Sequence, residues 1–236
     1  MFFEWSEWIC GAKCRECFVL LRLDQDSYSM LDKEMSCCVS ILLENEFIYE
    51  NGIFCPISPV SEFDNTFLND VIKNLVSLRV ISSTTNSVRR NYIAIQAEPG
   101  GITQREWVTK IHDVKVQKFL VVKAYFYLCR VQFILKRNKL KGLIDALNRS
   151  LMGYHPSLSI DESYLLAAAL DSACLFFPKN IACLSYAASL FMLHSSQCLE
   201  CKFVIGVQTL PFYAHAWIEV GGVLINDNPE LNRPVA

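Results

Sequence analysis

The stretch Phe212-Tyr213-Ala214-His215-Ala216-Trp217-Ile218-Glu219-Val220-Gly221-Gly222-Val223-Leu224-Ile225-Asn226-Asp227 decides how the second half of this chain is read. Two apolar runs flank a Gly-Gly pair, which is the pattern of a β-hairpin. Strand alternation puts His215, Trp217 and Glu219 on one face, and Ala214, Ala216 and Ile218 on the other. A polar edge on an otherwise apolar hairpin can line a cleft.

Working outward, Cys183 opens a helix-like stretch just beyond Pro178 and Asn180. A helix N-terminus presents unpaired N–H groups and partial positive charge, which stabilise a thiolate and can also stabilise an oxyanion. Cys183, His215 and Asp227 therefore occur in the order nucleophile, base, orienter, which thiol hydrolysis requires. The plain alternative for any one cysteine is a small buried hydrophobe, and for any one histidine a side chain satisfied in the core.

The pairing of His215 depends on the hairpin register. With a two-residue Gly221-Gly222 turn, Val220 pairs with Val223, His215 falls opposite Asn228, and Asp227 points to the other face. With a three-residue loop, Glu219 pairs with Val223 and His215 faces Asp227. Gly222 suits the left-handed position that three-residue loops need. The residues alone permit His–Asp or His–Asn.

The chain has 236 residues, 52% of them apolar, so a packed core is expected and global disorder is not. A formal net charge of −2 argues against recognition of nucleic acid or an anionic membrane through bulk charge. The basic run Lys136-Arg137-Asn138-Lys139-Leu140-Lys141 reads as a solvated helix end. No signal peptide is visible, since Glu4 and Glu7 interrupt the aromatic start. The apolar span from Phe119 to Leu135 contains Lys123, Arg130 and Gln132, which is poor for a stable membrane span. A cytoplasmic protein is expected. The eleven cysteines are then not expected to form a disulfide framework. Cys14-x-x-Cys17 and Cys198-x-x-Cys201 have metal-like spacing, but the adjacent Cys37 and Cys38 lack the gap that would complete a site with the first pair, so no metal is expected.

The fold class expected is α+β, in two domains with a linker: 1–95, 96–115 and 116–236. In the first, Phe18 to Leu23 is a strand, Asp24 to Asp26 a turn, and Ser27 to Leu31 a returning strand. Asp32 caps a helix to about Leu43. Residues 61–80 look helical, with Phe63, Phe67, Val71 and Leu75 four apart. Glu98-Pro99-Gly100-Gly101 is the linker candidate. Helices are expected over 114–136, 140–151, Asp161 to Leu175 and Ile181 to His194, followed by strands over Lys202 to Val207, Tyr213 to Val220 and Val223 to Asp227.

Several of these stretches together resemble one family. Cys183-Leu184-Ser185-Tyr186-Ala187, Val204 to Thr209, Pro211 to Val220 and Ile225-Asn226-Asp227-Asn228-Pro229 are similar to the lasso-peptide B proteins, in their fused, microcin-processing form. The similarity is strong over about residues 181–230 and weaker but collinear through the helices from 116. It implies a C-terminal transglutaminase/papain-like cysteine peptidase with Cys183, His215 and Asp227 as its catalytic residues. That matching selects the three-residue or bulged hairpin. It implies also an N-terminal, small winged-helix-like recognition domain, in which Ser27, Tyr28, Ser29 and Met30 offer a strand edge to a leader peptide and residues 63–75 supply a groove helix.

The function implied is maturation of a ribosomally made peptide in a bacterial cytoplasm, by binding the precursor's leader and hydrolysing the leader–core bond. The family's substrates usually carry Thr two places before the cut. The partners implied are the precursor and a separate asparagine-synthetase-like cyclase that closes a macrolactam. No cofactor is implied for this chain; it shows no phosphate-binding G-x-x-x-x-G-K-[ST] loop, so ATP use belongs to the cyclase. The competing expectations are a catalytically silent precursor-binding scaffold for the cyclase, and acyl transfer to an amine.

Overall fold

The computed structural model describes residues 1–58, 63–85, 116–150, 160–197, 201–209 and 212–226. The chain divides into two compact units, Met1–Gln96 and Ala97–Ala236. Glu98-Pro99-Gly100-Gly101 lies outside the described residues.

The first unit runs β1 (Phe2–Trp5), β2 (Ile9–Cys14), β3 (Cys17–Arg22), β4 (Ser27–Met30), α1 (Lys33–Glu44), β5 (Phe47–Glu50), β6 (Ile53–Pro56), α2 (Asn65–Ser77) and β7 (Ile81–Thr84). Strands β2, β3 and β4 form an antiparallel meander with β3 central and β2 and β4 at its edges; β1 pairs with β7, and β5 with β6. The strand, turn and capped helix expected over 18–43 are present. Asp32 accepts a hydrogen bond from the Met35 N–H at 2.8 Å, satisfying a donor that the start of α1 leaves without an intrahelical partner. Buried Ser36 ties α1 to the sheet by accepting from the Phe18 N–H at 2.9 Å.

One detail differs from expectation. Helix α2 turns Leu68, Val71, Ile72 and Leu75 inward, whereas Phe67 is 40% exposed and stacks on Phe63. A strict spacing of four drifts by about 40° per step on a helix of 3.6 residues per turn, so the four-apart series leaves the core face. The core gathers Phe3, Trp5, Phe18, Val39, Leu42 and Phe47 with that inner face of α2.

Asn69, buried on α2, works as a substitute strand for β6. Its Oδ1 accepts from the Phe54 N–H at 2.6 Å, while its Nδ2 donates to the carbonyls of Phe54 and Asn65, each at 2.8 Å. Asn69→Leu keeps the branched shape of the side chain but leaves both Phe54 backbone groups without these partners. We expect a loss of about 2–3 kcal/mol in denaturant unfolding of the first unit, against less than about 0.5 kcal/mol for exposed Asn74→Ala on the same helix.

The second unit runs α3 (Lys118–Ser150), α4 (Ile160–Leu175), α5 (Cys183–Ser195), β8 (Lys202–Thr209), β9 (Phe212–Val220) and β10 (Val223–Leu224). Helix α3 is two helices joined at Lys139, whose φ of 57° breaks the helical path. That break falls inside the basic run, whose residues 136–139 are exposed. Three antiparallel strands lie in the order β10-β9-β8. Helix α5 packs on α3, α4 and β9, and nine of its thirteen residues are buried. Among the described residues, no helix is long and apolar enough to cross a membrane.

Candidate active site

Helix α5 begins at Cys183 behind Ala182, a residue with no side chain able to cap the first turn. The donors that a Ser or Asp would have satisfied stay directed at whatever sits at the helix start. At that start sits the half-buried Cys183 thiol. The backbone N–H of Leu184 hydrogen-bonds its sulfur, and β9 supplies two further groups: the His215 ring and the N–H of Ala216.

These contacts decide the thiol's ionisation. Burial is the largest single influence and pushes it up, but the His215 hydrogen bond and charge, with the Ala216 and Leu184 amides, outweigh that and hold it below the ordinary 9.0. Other cysteines behave oppositely. Burial pushes Cys14 up, Cys38 up to about 11 and Cys174 up to about 12. Among the described cysteines with a shifted thiol, Cys183 alone moves toward the thiolate.

His215 is 5% exposed and held edgewise by its strand neighbours. Tyr213 and Trp217 lie on the same face with rings nearly parallel to the imidazole, at centroid distances of 6.3 Å and 5.9 Å. The Trp217 indole is fixed in turn, because its Nε1 donates to Glu219 Oε1 at 2.9 Å. It also lies over Gly206, where a Cβ would come within 2.4 Å of the ring. Gly206 is the β8 residue opposite His215, so a missing side chain on one strand lets the indole cross and brace the histidine on the next.

The helix side is braced as well. Gln132 on α3 donates to Ser185 Oγ at 2.9 Å, and Tyr186 OH donates to Asp171 Oδ1 at 2.7 Å, so α5 is pinned to both neighbouring helices within one turn of Cys183. By contrast His194, at the other end of α5, is fully buried with Nδ1 2.8 Å from the Leu190 carbonyl oxygen. Burial lowers it to about 4, so it is a neutral core histidine.

The hairpin corrects one expectation. Val223 pairs with Val220 and Leu224 with Glu219, so the loop has two residues, not three. Gly221 and Gly222 both have positive φ, 56° and 83°, which is the two-glycine turn whose twist matches the flanking strands. The ladder continues to Ile225, whose N–H donates to the Ile218 carbonyl at 3.2 Å. There the pattern changes: the Ile218 N–H donates to the Asn226 side chain at 2.8 Å. Asp227 lies outside the described residues.

Cys183 and His215, from opposite ends of the sequence motif, are thus brought together. Ser27, Tyr28, Ser29 and Met30 form β4, one of the two edge strands of the first unit's meander, with Met30 60% exposed. Cys14 and Cys17 face each other across the β2–β3 turn, and Cys198 lies outside the described residues. No group of three or more His, Cys, Asp or Glu among the described residues could hold a metal ion. The sequence reading missed the Ala216 and Leu184 amides and the Tyr213 ring. Tyr213 was signalled by the alternation of rings with alanines over 213–217; backbone donors leave no mark in a sequence.

Residues 130–236 match the model of the Transglutaminase-like superfamily. The C-terminal part is a transglutaminase-like domain. Microcin J25-processing protein McjB of Escherichia coli is 38% identical over 76 residues, which cover 31% of this chain and 36% of McjB. The chain therefore spans little more than a third of that relative's length in the match. No solved structure matches the chain.

The site predicts a measurable ionisation. In pH-dependent alkylation of Cys183, followed by peptide mass spectrometry, the wild-type midpoint should lie below the ordinary thiol value. His215→Ala removes the chief lowering contact and leaves burial, so its midpoint should move up. Gly206→Ala should move it in the same direction by displacing Trp217, and unchanged midpoints in both variants would refute this account of the thiol.

Proposed function

We propose that this chain is a cysteine peptidase that removes the leader from a ribosomally made lasso-peptide precursor. The observation that carries the reading is a lowered thiol at the uncapped start of a buried helix, hydrogen-bonded to His215 despite the opposing effect of burial. The partial likeness to a microcin-processing protein supports the substrate class.

In this reading His215 takes the Cys183 proton, and the thiolate attacks the scissile carbonyl. Amides at the start of α5 stabilise the oxyanion that forms. As the C–N bond breaks, His215 returns the proton to the departing amine, which is the new N-terminus of the core peptide. Water, activated by His215, then hydrolyses the thioester to give the leader carboxylate and restore the thiol. Asp227 orients His215. The residue before Asp227, Asn226, accepts the Ile218 N–H through its side chain, so the hairpin's backbone ladder ends at Ile225 among the described residues. No cofactor takes part; ATP is used by the separate cyclase that closes the macrolactam on the freed amine. The reaction belongs to a bacterial cytoplasm.

The first unit, as a small winged-helix-like module, would hold the leader as an added strand beside β4, where Ser27 to Met30 supply the edge. The β4 edge carries that part of the reading, since α2 packs on α1, β6 and β7.

The test incubates the purified chain with its candidate precursor, with and without the neighbouring cyclase and ATP, and reads the products by mass spectrometry. Wild type should make a single cut. Cys183→Ala should abolish it while precursor binding is retained, and His215→Ala should slow it on the order of 10²–10⁴-fold. Normal lasso production with Cys183→Ala would instead make the chain a scaffold, and an amine adduct on the leader would make it an acyl transferase.

A further inference from the structure

Helix α3 carries a second apolar face that is exposed among the described residues. Phe119, Val122, Phe126, Cys129 and Phe133 recur at spacings of three, four, three and four. The four large hydrophobics among them are 61–71% exposed, and Cys129 is exposed too. The inward face of the same helix is Ala124, Leu128 and Val131, each completely buried. At 100° per residue the exposed set occupies about 80° of the circumference, centred nearly opposite the buried set. That arc is narrower than the broad face an interfacial membrane helix lays on lipid, and it has the 3-4 period of a helix–helix seam.

The flanks of the stripe differ. On one side Tyr125 meets Phe177 with ring centroids 5.6 Å apart, and Gln132 is bonded to Ser185, so that flank is held by the second unit itself. On the other, Lys123, Arg130 and Arg137 repeat every seven residues along the seam, and none has an ion pair among the described residues. From Lys118 to Ile144 the sequence contains seven Lys or Arg and no Asp or Glu. A second copy of this helix would bring more cations to the seam and no carboxylate to answer them.

We infer that this face of α3 docks an amphipathic helix from a partner protein, with an apolar 3-4 stripe bordered by Asp or Glu. Apolar side chains of the partner enter between Phe119, Phe126 and Phe133, and its carboxylates pair with the heptad-spaced row Lys123, Arg130 and Arg137. The described stripe, Lys118 to Phe133, is about 24 Å long at 1.5 Å per residue, enough to seat a little over two heptads.

The probe is a synthetic three-heptad peptide with Leu at the a and d positions and Glu at e and g, whose own charges hinder self-pairing. Fluorescence anisotropy on the full chain should show binding, at least tenfold weaker for the same peptide with Lys at e and g. The Lys123→Glu, Arg130→Glu, Arg137→Glu variant should reverse that preference, and Phe126→Asp should abolish binding of either peptide. Phe126, Arg130 and Arg137 are exposed and Lys123 is half-buried, none in the core, so far-UV circular dichroism and Cys183 alkylation of each variant should match wild type. Equal affinity for both peptides, or no binding, would overturn the inference. So would concentration-dependent self-association through this face, which makes a second copy the occupant, or retention on phosphatidylglycerol vesicles without peptide binding, which makes it a lipid face.

Discussion

Helix α5 is buried along most of its length, and the rest of the second unit is arranged around that fact. A helix so enclosed has its position fixed by packing on several sides, and the residue at its N-terminus inherits that precision. Cys183 is that residue. Its sulfur needs no flexible loop to reach the histidine, because β9 crosses the start of α5 closely enough for both a side chain and a main-chain amide to bond it. Ala216 has a small side chain at the position where that approach is made, and the polar ties Gln132–Ser185 and Tyr186–Asp171 keep the helix from sliding along its apolar neighbours.

The histidine is positioned by a different means. Along β9 the same-face positions 213, 215 and 217 are all rings, and the opposing strand has a glycine where the indole must pass. An imidazole confined between two rings loses rotamer freedom before any substrate arrives, which is one way a site meets the entropy of ordering in advance. His194 shows the alternative. Both histidines are buried, but one bonds its own helix's backbone and stays neutral, while the other is turned toward a thiol.

Local signals carried the sequence reading furthest. Asp32 as a cap, the helix break beside Lys139, the start of α5 and the position of the Gly-Gly hairpin, though not its turn length, were legible because each depends on residues within a few positions of one another. The β1–β7 pairing was not, since Phe2 finds Thr84 across almost the whole first unit and nothing local announces it. The outward turn of Phe67 was missed because a four-residue spacing imitates a helical face over one or two turns and drifts off it over three. In the site, residue types were legible and backbone donors were not: Cys183 and His215 stand out by chemistry, whereas the amides of Leu184 and Ala216 belong to whichever residues the fold puts there.

The hairpin shows how a turn one residue shorter changes the register that a sequence implies. A three-residue or bulged loop, which the resemblance implies, sets His215 opposite Asp227. The two glycines instead make the tighter turn, whose strict continuation would send Asp227 to the opposite face. Strict continuation requires each backbone donor of β9 to meet a backbone acceptor on the returning strand. At Ile218 that requirement lapses, because the Asn226 side chain accepts the hydrogen bond. A side-chain acceptor of this kind competes with the ladder for the backbone donor, as Asn side chains do at the ends of regular structure. The parity of the turn therefore sets the register of Val223 to Ile225, and at Asn226 a side chain stands in for the ladder's carbonyl.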